Sequence, residues 1–492
     1  MTVEESEIED GLYGRDRSDE DLRAALLSGD VPVSVYGLGK LGLPLAAVMA
    51  DVTGNVVGVD VDPTVVSAVE RGVSHVPDEP GLPSLLSDVV ERGALRATTE
   101  GEEAAAASRV HVIVVPTLVE DGVPDLSILD SACDAIAAGL SPGDLVAVEC
   151  TVPPRTCRER VRPLLAELSG LDPDSFGVAA CPERISSGRA LRDVRRSYPK
   201  IVGGVDAEST RIASLLYDEV TENEVLPVAD AETAEATKVF EGVYRDVNIA
   251  LANELARYAD ELGVDVREAI EAANTQPYCT LHDPGAGVGG HCIPYYPRFL
   301  TGVFETDAPL LETARSVNDS MPRFAVERLV DGLYAEGTDP EDATVLVLGV
   351  AYRAGVAETR AAPALDVITD LRRRGSRVLA ADPVIDDLDR FGAEPVELEE
   401  LLDWEFDEFG PSPPDGVVLV TAHEEFQEID WSVADPTVIV DGRDAIDTES
   451  ACRAGHRVYT IGRGEWMTDE TIRDNSGADD SGAVDGRIGG DR

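Results

Sequence analysis

The chain has 492 residues, too many for one hydrophobic core, so two or three domains are expected. Its 95 acidic against 41 basic side chains give a net charge of −54, which disfavours nucleic acid or an anionic membrane surface as a partner. That charge suits the salt-rich cytosol of a halophile, where the Debye length is about 3 Å at 1 M, and 43% apolar residues in recurrent runs such as 110–115 and 344–348 exclude an acidic disordered chain.

The first residues carry no basic, apolar signal region. No segment approaches the roughly 18 uncharged apolar residues of a membrane span, so the chain reads as cytoplasmic. Residues 1–30 form an acidic extension with one short helix over 19–27, ending near Gly29. From 31 to about 205, β-branched runs at 33–36, 56–61, 110–115, 145–149 and 176–180 alternate with helical stretches, the pattern of a doubly wound parallel sheet. Residues 231–262 contain no proline and only Gly242 among glycines, with apolar residues at helical spacing and a stop at Gly263. That is a helix of about 50 Å, suited to a spine between domains or a dimer seam. A second α/β unit follows, with strands at 344–350, 377–381, 416–421, 437–440 and 457–461, and the Gly/Asp-rich residues 474–492 read as disordered. The fold class is α/β, with two Rossmann-like doubly wound domains joined by a long central helix.

The strand at 33–36 leads into Gly37-Leu38-Gly39-Lys40-Leu41-Gly42 and then a helix, and Asp60 closes the next strand 18 residues after Gly42. This is the dinucleotide fingerprint: Gly37 permits the tight turn, Gly39 lets backbone approach the pyrophosphate, and Gly42 packs helix on strand. Asp60 would accept from a ribose 2′-hydroxyl and repel a 2′-phosphate, which favours NAD over NADP. The second unit repeats this layout at Leu348-Gly349-Val350-Ala351-Tyr352-Arg353 and Asp382-Pro383 without the glycines. It binds another nucleotide or is a structural echo; the pattern does not decide. In the glycine-rich run 284–294, Cys292 stands beside His291, a placement that suits a thiolate nucleophile, although a free cysteine is usually an inert small hydrophobe. Seven scattered cysteines without C-x-x-C and six histidines without ligand spacing argue against disulfides or a metal site.

Over roughly residues 31–465 the sequence resembles the nucleotide-sugar 6-dehydrogenases, the UDP-glucose/GDP-mannose dehydrogenase family. Its markers occur in order: the Gly37 loop with Leu43-Pro44, Glu79-Pro80-Gly81-Leu82, Val115-Pro116-Thr117, Thr151-Val152-Pro153-Pro154, Pro182-Glu183-Arg184-Ile185, Ile201-Val202-Gly203-Gly204, Lys238 with Arg245-Asp246-Val247-Asn248, the Cys292 loop, Thr359-Arg360 and Asp441-Gly442-Arg443. Gly289-Gly290-His291-Cys292-Ile293-Pro294 is similar to the N-acetylmannosamine or N-acetylglucosamine branch rather than the UDP-glucose branch, and the charge suggests a haloarchaeal member.

The resemblance implies a four-electron, NAD-dependent oxidation of a UDP-sugar C6 alcohol to the acid, through a thiohemiacetal and thioester on Cys292. It assigns catalysis to Cys292, Lys238, Glu183 and Thr151. NAD would be held by Gly37, Leu38, Gly39, Lys40, Leu41, Gly42, Asp60, Pro116, Thr117 and Thr151. The UDP-sugar would be held by Glu183, Arg184, Lys238, Arg245, Asn248, Gly289, Gly290, His291 and Arg360. The implied domains are 31–208 for NAD, 209–325 for the central helices, dimerisation and the cysteine loop, 326–466 for the UDP-sugar, and 467–492 as an acidic tail, in a homodimer paired along the central helix. Lys238 is one of only three lysines, which favours a role over a solvated helix face; Thr151 and Glu183 could instead be caps or turns.

Some positions depart from the family pattern. Gly242 stands for an asparagine four residues after the lysine, Tyr296 for an aspartate four residues after the cysteine, Tyr278 for an arginine, Ala361-Ala362 for Glu-Ser, and Cys150 for a serine. Losing an oxyanion donor costs about 3 kcal/mol of barrier. Because the nucleophile, lysine and glutamate remain, an active enzyme with a rebuilt sugar pocket is expected. A UDP-glucose dehydrogenase, a catalytically impaired NAD and nucleotide-sugar binder, and a two-electron dehydrogenase that leaves Cys292 idle are the alternatives.

Overall fold

A computed structural model describes residues 11–14, 17–186, 188–402 and 413–473. The chain divides into two units, Met1–Glu241 with Arg298–Thr306, and Gly242–Pro297 with Asp307–Arg492.

The first unit is built on an eight-stranded sheet of β1 (Val33–Tyr36), β2 (Val56–Val59), β3 (Leu95–Thr98), β4 (Val110–Ile113), β7 (Leu145–Val148), β8 (Gly177–Ala180), β9 (Lys200–Gly204) and β10 (Val225–Pro227), beside a hairpin of β5 (Leu118–Glu120) and β6 (Val123–Asp125). The spatial order is β10-β9-β8-β7-β4-β1-β2-β3. All neighbours are parallel except β8 and β9. Strands β1, β2, β4, β7 and β8 are buried along their whole length, which is why they read as continuous apolar runs and not as alternation. Strands β2, β4 and β7 stop one or two residues before the expected runs do, because the chain leaves the sheet at its carboxyl edge, whereas β1 and β8 end where expected. Strands β3, β9 and β10 escaped the sequence reading: β3 (LRAT) and β10 (VLP) are edge strands that bury little, and β9 (KIVGG) ends in two glycines.

The described part of the expected acidic extension, residues 11–14 and 17–30, packs on this unit. Ser18 caps the helix Asp19–Ser28 and Gly29, at φ +79°, ends it. Leu12, Leu22 and Leu26 are buried in the core, and the Tyr13 hydroxyl donates to Asp206 at 2.9 Å. Residues 1–10 and 474–492 lie outside the described residues. Of the tail expected from 467, Met467 pairs antiparallel with Val458.

The spine helix runs over Ala231–Arg257, and Ala259–Leu262 follows as a separate turn. The single rod expected to Leu262 is therefore interrupted at Tyr258, whose amide bonds three residues back to Leu255 at 3.0 Å. The second unit carries β11 (Thr344–Leu348), β12 (Arg377–Ala381), β13 (Glu394–Pro395), β14 (Gly416–Leu419), β15 (Val438–Asp441) and β16 (Arg457–Thr460), all parallel, in the order β13-β12-β11-β14-β15-β16. Both sheets share the Rossmann order about their first strand. Among the described residues no helix is long and apolar enough to cross a membrane.

Candidate active site

In the first unit, β1 and β4 lie side by side where the strand order reverses, the crevice in which open α/β sheets bind ligands. Gly37, at φ +95°, makes the turn out of β1, and a Cβ there would overlap the Val114 carbonyl. A Cβ on Gly42 would overlap the Gly37 carbonyl, so this glycine serves the loop's own closure before it serves helix-on-strand packing. A Cβ on Gly39 would meet nothing within 4 Å, which leaves that face open to a ligand. Asp60 is held by two amides, Leu38 at 2.9 Å and Asp62 at 3.0 Å. Lys40 and Pro116 are exposed. The open Gly39, the helix starting at Gly42 and a fixed carboxylate at the end of β2 fit a dinucleotide with free ribose hydroxyls.

Thr151 and Glu183 follow β7 and β8 at the same carboxyl edge. The Thr117 hydroxyl donates to the Thr151 carbonyl at 2.7 Å and ties the loops after β4 and β7 together. Cys150 lies behind them, accepting from the Val115 amide at 3.2 Å, and burial pushes its thiol up to about 12, so it is inert. Glu183 Oε1 lies 3.5 Å from Lys238 Nζ, both side chains nearly buried, and Oε2 accepts from the Ile185 amide at 2.8 Å. The structure thus brings together two of the expected catalytic residues, one from a strand end and one from the spine helix. Arg184, expected to hold substrate, pairs with Glu241 and donates to the Pro199 carbonyl at 3.2 Å.

Two supporting features were missed, a buried cluster around Lys200 and Glu149 and the buried Glu235. Lys200 Nζ binds Glu149 at 2.6 Å and the Cys181 carbonyl at 2.7 Å, while Glu149 also accepts from the Tyr217 hydroxyl. Burial raises the Glu149 carboxyl against the pull of Lys200. The Glu149 carbonyl accepts the Glu183 amide at 3.0 Å, so this buried cluster supports the segment that presents Glu183. The scarcity of lysine that singles out Lys238 could equally have singled out Lys200. Glu235, one turn before Lys238, accepts from the amides of Arg155 at 2.6 Å and Cys157 at 2.7 Å and so anchors the loop after Thr151 to the spine helix. Burial raises its carboxyl to about 7, opposed by those amides.

In the second unit Cys292 is exposed at the start of the single turn Cys292–Tyr295. The glycines before it are needed for close packing: a Cβ on Gly287 would stand 2.9 Å from Pro363, one on Gly289 2.7 Å from the Ala361 carbonyl, and one on Gly290 2.6 Å from the Tyr352 ring. The Gly290 N–H donates to the Arg360 carbonyl at 3.0 Å, so this amide is already taken. Arg443, pushed down to about 10 by desolvation, donates to the Gly287 carbonyl at 2.9 Å. Asn253 on the spine helix accepts from the Gly285 amide at 2.8 Å and reaches, through Asn318, the buried pair of Asp246 and Arg315. Asn248 accepts from the His282 amide at 3.2 Å, His291 stacks edge-on with Tyr295, and Arg245 and Arg360 are exposed.

The loop after β11 is built differently from the Gly37 loop. Asp382 Oδ2 accepts from the amides of both Val350 and Ala351 at 2.7 Å, and His423 stands 3.3 Å away. A carboxylate thus occupies two amides of this loop. Burial works to raise the Asp382 carboxyl, but the bonds from His423 and the amides hold it below its ordinary value. Among the described residues no group of three or more His, Cys, Asp or Glu could hold a metal ion.

Three family models match in chain order: the NAD binding domain of the UDP-glucose/GDP-mannose dehydrogenase family over residues 31–221, its central domain over 232–320 and its UDP binding domain over 346–448. The chain is 35% identical to the UDP-N-acetyl-D-mannosamine dehydrogenase of Pyrococcus horikoshii, over 88% of this chain and 99% of that protein. A solved structure of a UDP-D-ManNAc dehydrogenase from the same organism superposes with a TM-score of 0.78, covering 88% of this chain and 100% of that one. An NDP-N-acetyl-D-galactosaminuronic acid dehydrogenase of Ralstonia solanacearum is 36% identical over 84% of this chain and 95% of its own length. A UDP-glucose dehydrogenase structure from Pyrobaculum islandicum, at 27% identity, superposes with a TM-score of 0.76 over 88% of this chain and 98% of that one. Sequence, strand order and glycine loop agree, and the chain belongs to the UDP-glucose/GDP-mannose dehydrogenase family as an NAD-dependent nucleotide-sugar dehydrogenase.

Proposed function

We propose that this chain oxidises the C6 alcohol of UDP-N-acetyl-D-mannosamine to the carboxylate, with the sugar carbon held on Cys292 between the two oxidations. The observation that carries this reading is the nearly buried Lys238–Glu183 pair, 3.5 Å apart, at the carboxyl edge of the sheet whose glycine loop fits NAD. The choice of sugar is supported by the relatives named for it and by the Gly289–Pro294 run.

NAD bound at the Gly37–Gly42 loop supplies the hydride acceptor at each of the two oxidations. In the first oxidation C6 gives up a hydride and its hydroxyl proton goes to solvent, while the Lys238 ammonium steadies the negative charge that develops on the oxygen. After the first oxidation the Cys292 sulfur bonds to the aldehyde carbon, and its proton goes to the carbonyl oxygen, giving a thiohemiacetal. The second oxidation removes a hydride, and the hydroxyl proton goes to solvent, leaving a thioester. Glu183, oriented by the Ile185 amide, takes a proton from the attacking water; the C–S bond breaks, the thiol is restored and the acid leaves. Thr151 positions that water beside the nicotinamide. Arg245, Asn248, Gly289, Gly290, His291 and Arg360 line the UDP-sugar, and Arg184 acts through its pair with Glu241.

Along the spine, Tyr244, Leu251 and Tyr258 recur every seven residues and are about half exposed, with Leu262 one turn on. This apolar seam is covered by a second copy of the chain in a homodimer working in a salt-rich cytoplasm. Light scattering in molar KCl gives a dimer mass at micromolar concentration; a monomer overturns the seam.

The deciding experiment offers UDP-ManNAc, UDP-GlcNAc, UDP-glucose and GDP-mannose with NAD at molar KCl and follows NADH. Two NADH per UDP-ManNAc are expected. Turnover of another sugar alone moves the substrate assignment. Binding without turnover across the panel favours a non-catalytic binder, the second reading, which Gly242 and Tyr296 favour because they replace two polar side chains of the family pattern.

A further inference from the structure

The two departures at Gly242 and Tyr296 meet each other. A Cβ built on Gly242 would overlap Cδ2 of the Tyr296 ring and stand only 2.8 Å from its Cγ and 2.9 Å from its Cβ. The ring therefore lies flush against the backbone of the spine helix, in a notch that exists because residue 242 has no side chain. Tyr296 is 4% exposed. Its amide donates to the Cys292 carbonyl at 3.0 Å and closes the turn on which the thiol stands. Glycine is unfavourable in the interior of a helix, and Gly242 is the sole one in Ala231–Arg257, so its presence calls for a packing reason; the ring supplies one.

We propose that Tyr296 is the positioning residue of Cys292 and that Gly242 is its socket: one ring against one bare stretch of helix sets where the turn carrying the thiol sits. An asparagine at 242 and a tyrosine at 296 exclude each other sterically, so the two departures are a single coupled exchange and not two separate losses. Where the family pattern has two polar side chains, this chain has an aromatic ring locked onto backbone. A well-packed interior is bistable and does not yield smoothly, so a single methyl group in the socket must displace the ring, and the turn with it. The inference rests on reading Cys292 as the nucleophile, and its test does not require turnover.

The test is a double-mutant cycle on the full chain in molar KCl with Gly242→Ala, Tyr296→Leu and both together. The first readout is the pH profile of Cys292 alkylation by iodoacetamide, followed by peptide mass spectrometry with Cys279 as an internal reference. The second is kcat against KM for NAD. Gly242→Ala is expected to change the Cys292 alkylation rate at least fivefold and to lower kcat at least tenfold, with Cys279 alkylation and KM for NAD within twofold of the parent. Tyr296→Leu is expected to shift Cys292 in its own right, and the double variant to lie closer to the parent than Gly242→Ala does, because the smaller side chain leaves room for the methyl. Parental Cys292 reactivity in Gly242→Ala overturns the proposal, as do strictly multiplicative effects in the cycle. Should Gly242→Ala fail to fold, Tyr296→Leu decides alone, and unchanged alkylation in it overturns the proposal. A cycle that couples in alkylation while the parent turns over no sugar defeats the catalytic reading and leaves the positioning role standing.

Discussion

The two Rossmann units use the loop after their first strand in opposite ways. Gly37 and Gly349 make the same left-handed turn, at φ +95° and +83°, each pressed against a backbone carbonyl of the neighbouring strand's extension. Asp60 and Asp382 then occupy equivalent places at the ends of the second strands. Asp60 takes one amide of its loop, Leu38, and Gly39 is left open. Asp382 takes two, Val350 and Ala351, with His423 alongside. Topology supplies a crevice in both units, but the amides left over in the loop differ, and with them the groups the loop can offer a ligand.

The largest expected effect breaks the reaction and spares both loops. Cys292→Ser loses acid formation by about a thousandfold or more while NAD still binds. Acid measured by mass spectrometry at the parental rate would make the thioester route wrong. Next, Gly39→Ala, which meets no atom within 4 Å and so should fold, weakens NAD about tenfold or more by calorimetry. Ala351→Gly in the other loop leaves the NAD affinity unchanged; an equal effect of the two would erase the contrast.

The aspartates should separate in the same way. Asp60→Ala weakens NAD and relaxes the preference over NADP. Asp382→Asn leaves NAD binding alone but costs stability, about 2–3 kcal/mol, by weakening a buried, multiply bonded carboxylate. The Asp382 carboxyl is held low in the folded state, so its contribution is present above the ordinary aspartate value of 3.8 and is lost as pH falls through the folded value. The gap in Tm between parent and Asp382→Asn should close on acidification. The last effect, of similar size, has the opposite sign. Glu235 is raised from 4.5 to about 7, so its contribution is fully present below 4.5 and is lost as pH rises towards 7. Relative to Glu235→Gln, the parent should lose up to about 3 kcal/mol across that window. A difference in Tm that stays flat with pH rules this out.

Much of the site was legible because its signals are local. The Gly37 loop, Asp60 and Lys238 stand out by spacing or rarity, and the family markers place Glu183 and Cys292. What escaped is long-range. Lys200 is as rare a residue as Lys238, yet nothing near it in the chain announces Glu149, 51 positions away. The run of glycines before Cys292 looks like a ligand cradle, but much of its bareness serves Tyr352, Ala361 and Pro363, whose approach no periodicity encodes.

By itself the sequence determined the α/β class, the dinucleotide loop, the spine and the family, because strand hydrophobicity, turn glycines and helical periodicity act between residues close in the chain. Only the tertiary structure decided that the second loop binds its own carboxylate, that Leu12, Leu22 and Leu26 belong to the core, and that Gly242 and Tyr296 fill one another's space. Those outcomes depend on which surfaces come within a few ångströms, and steric exclusion at that range leaves no trace in spacing.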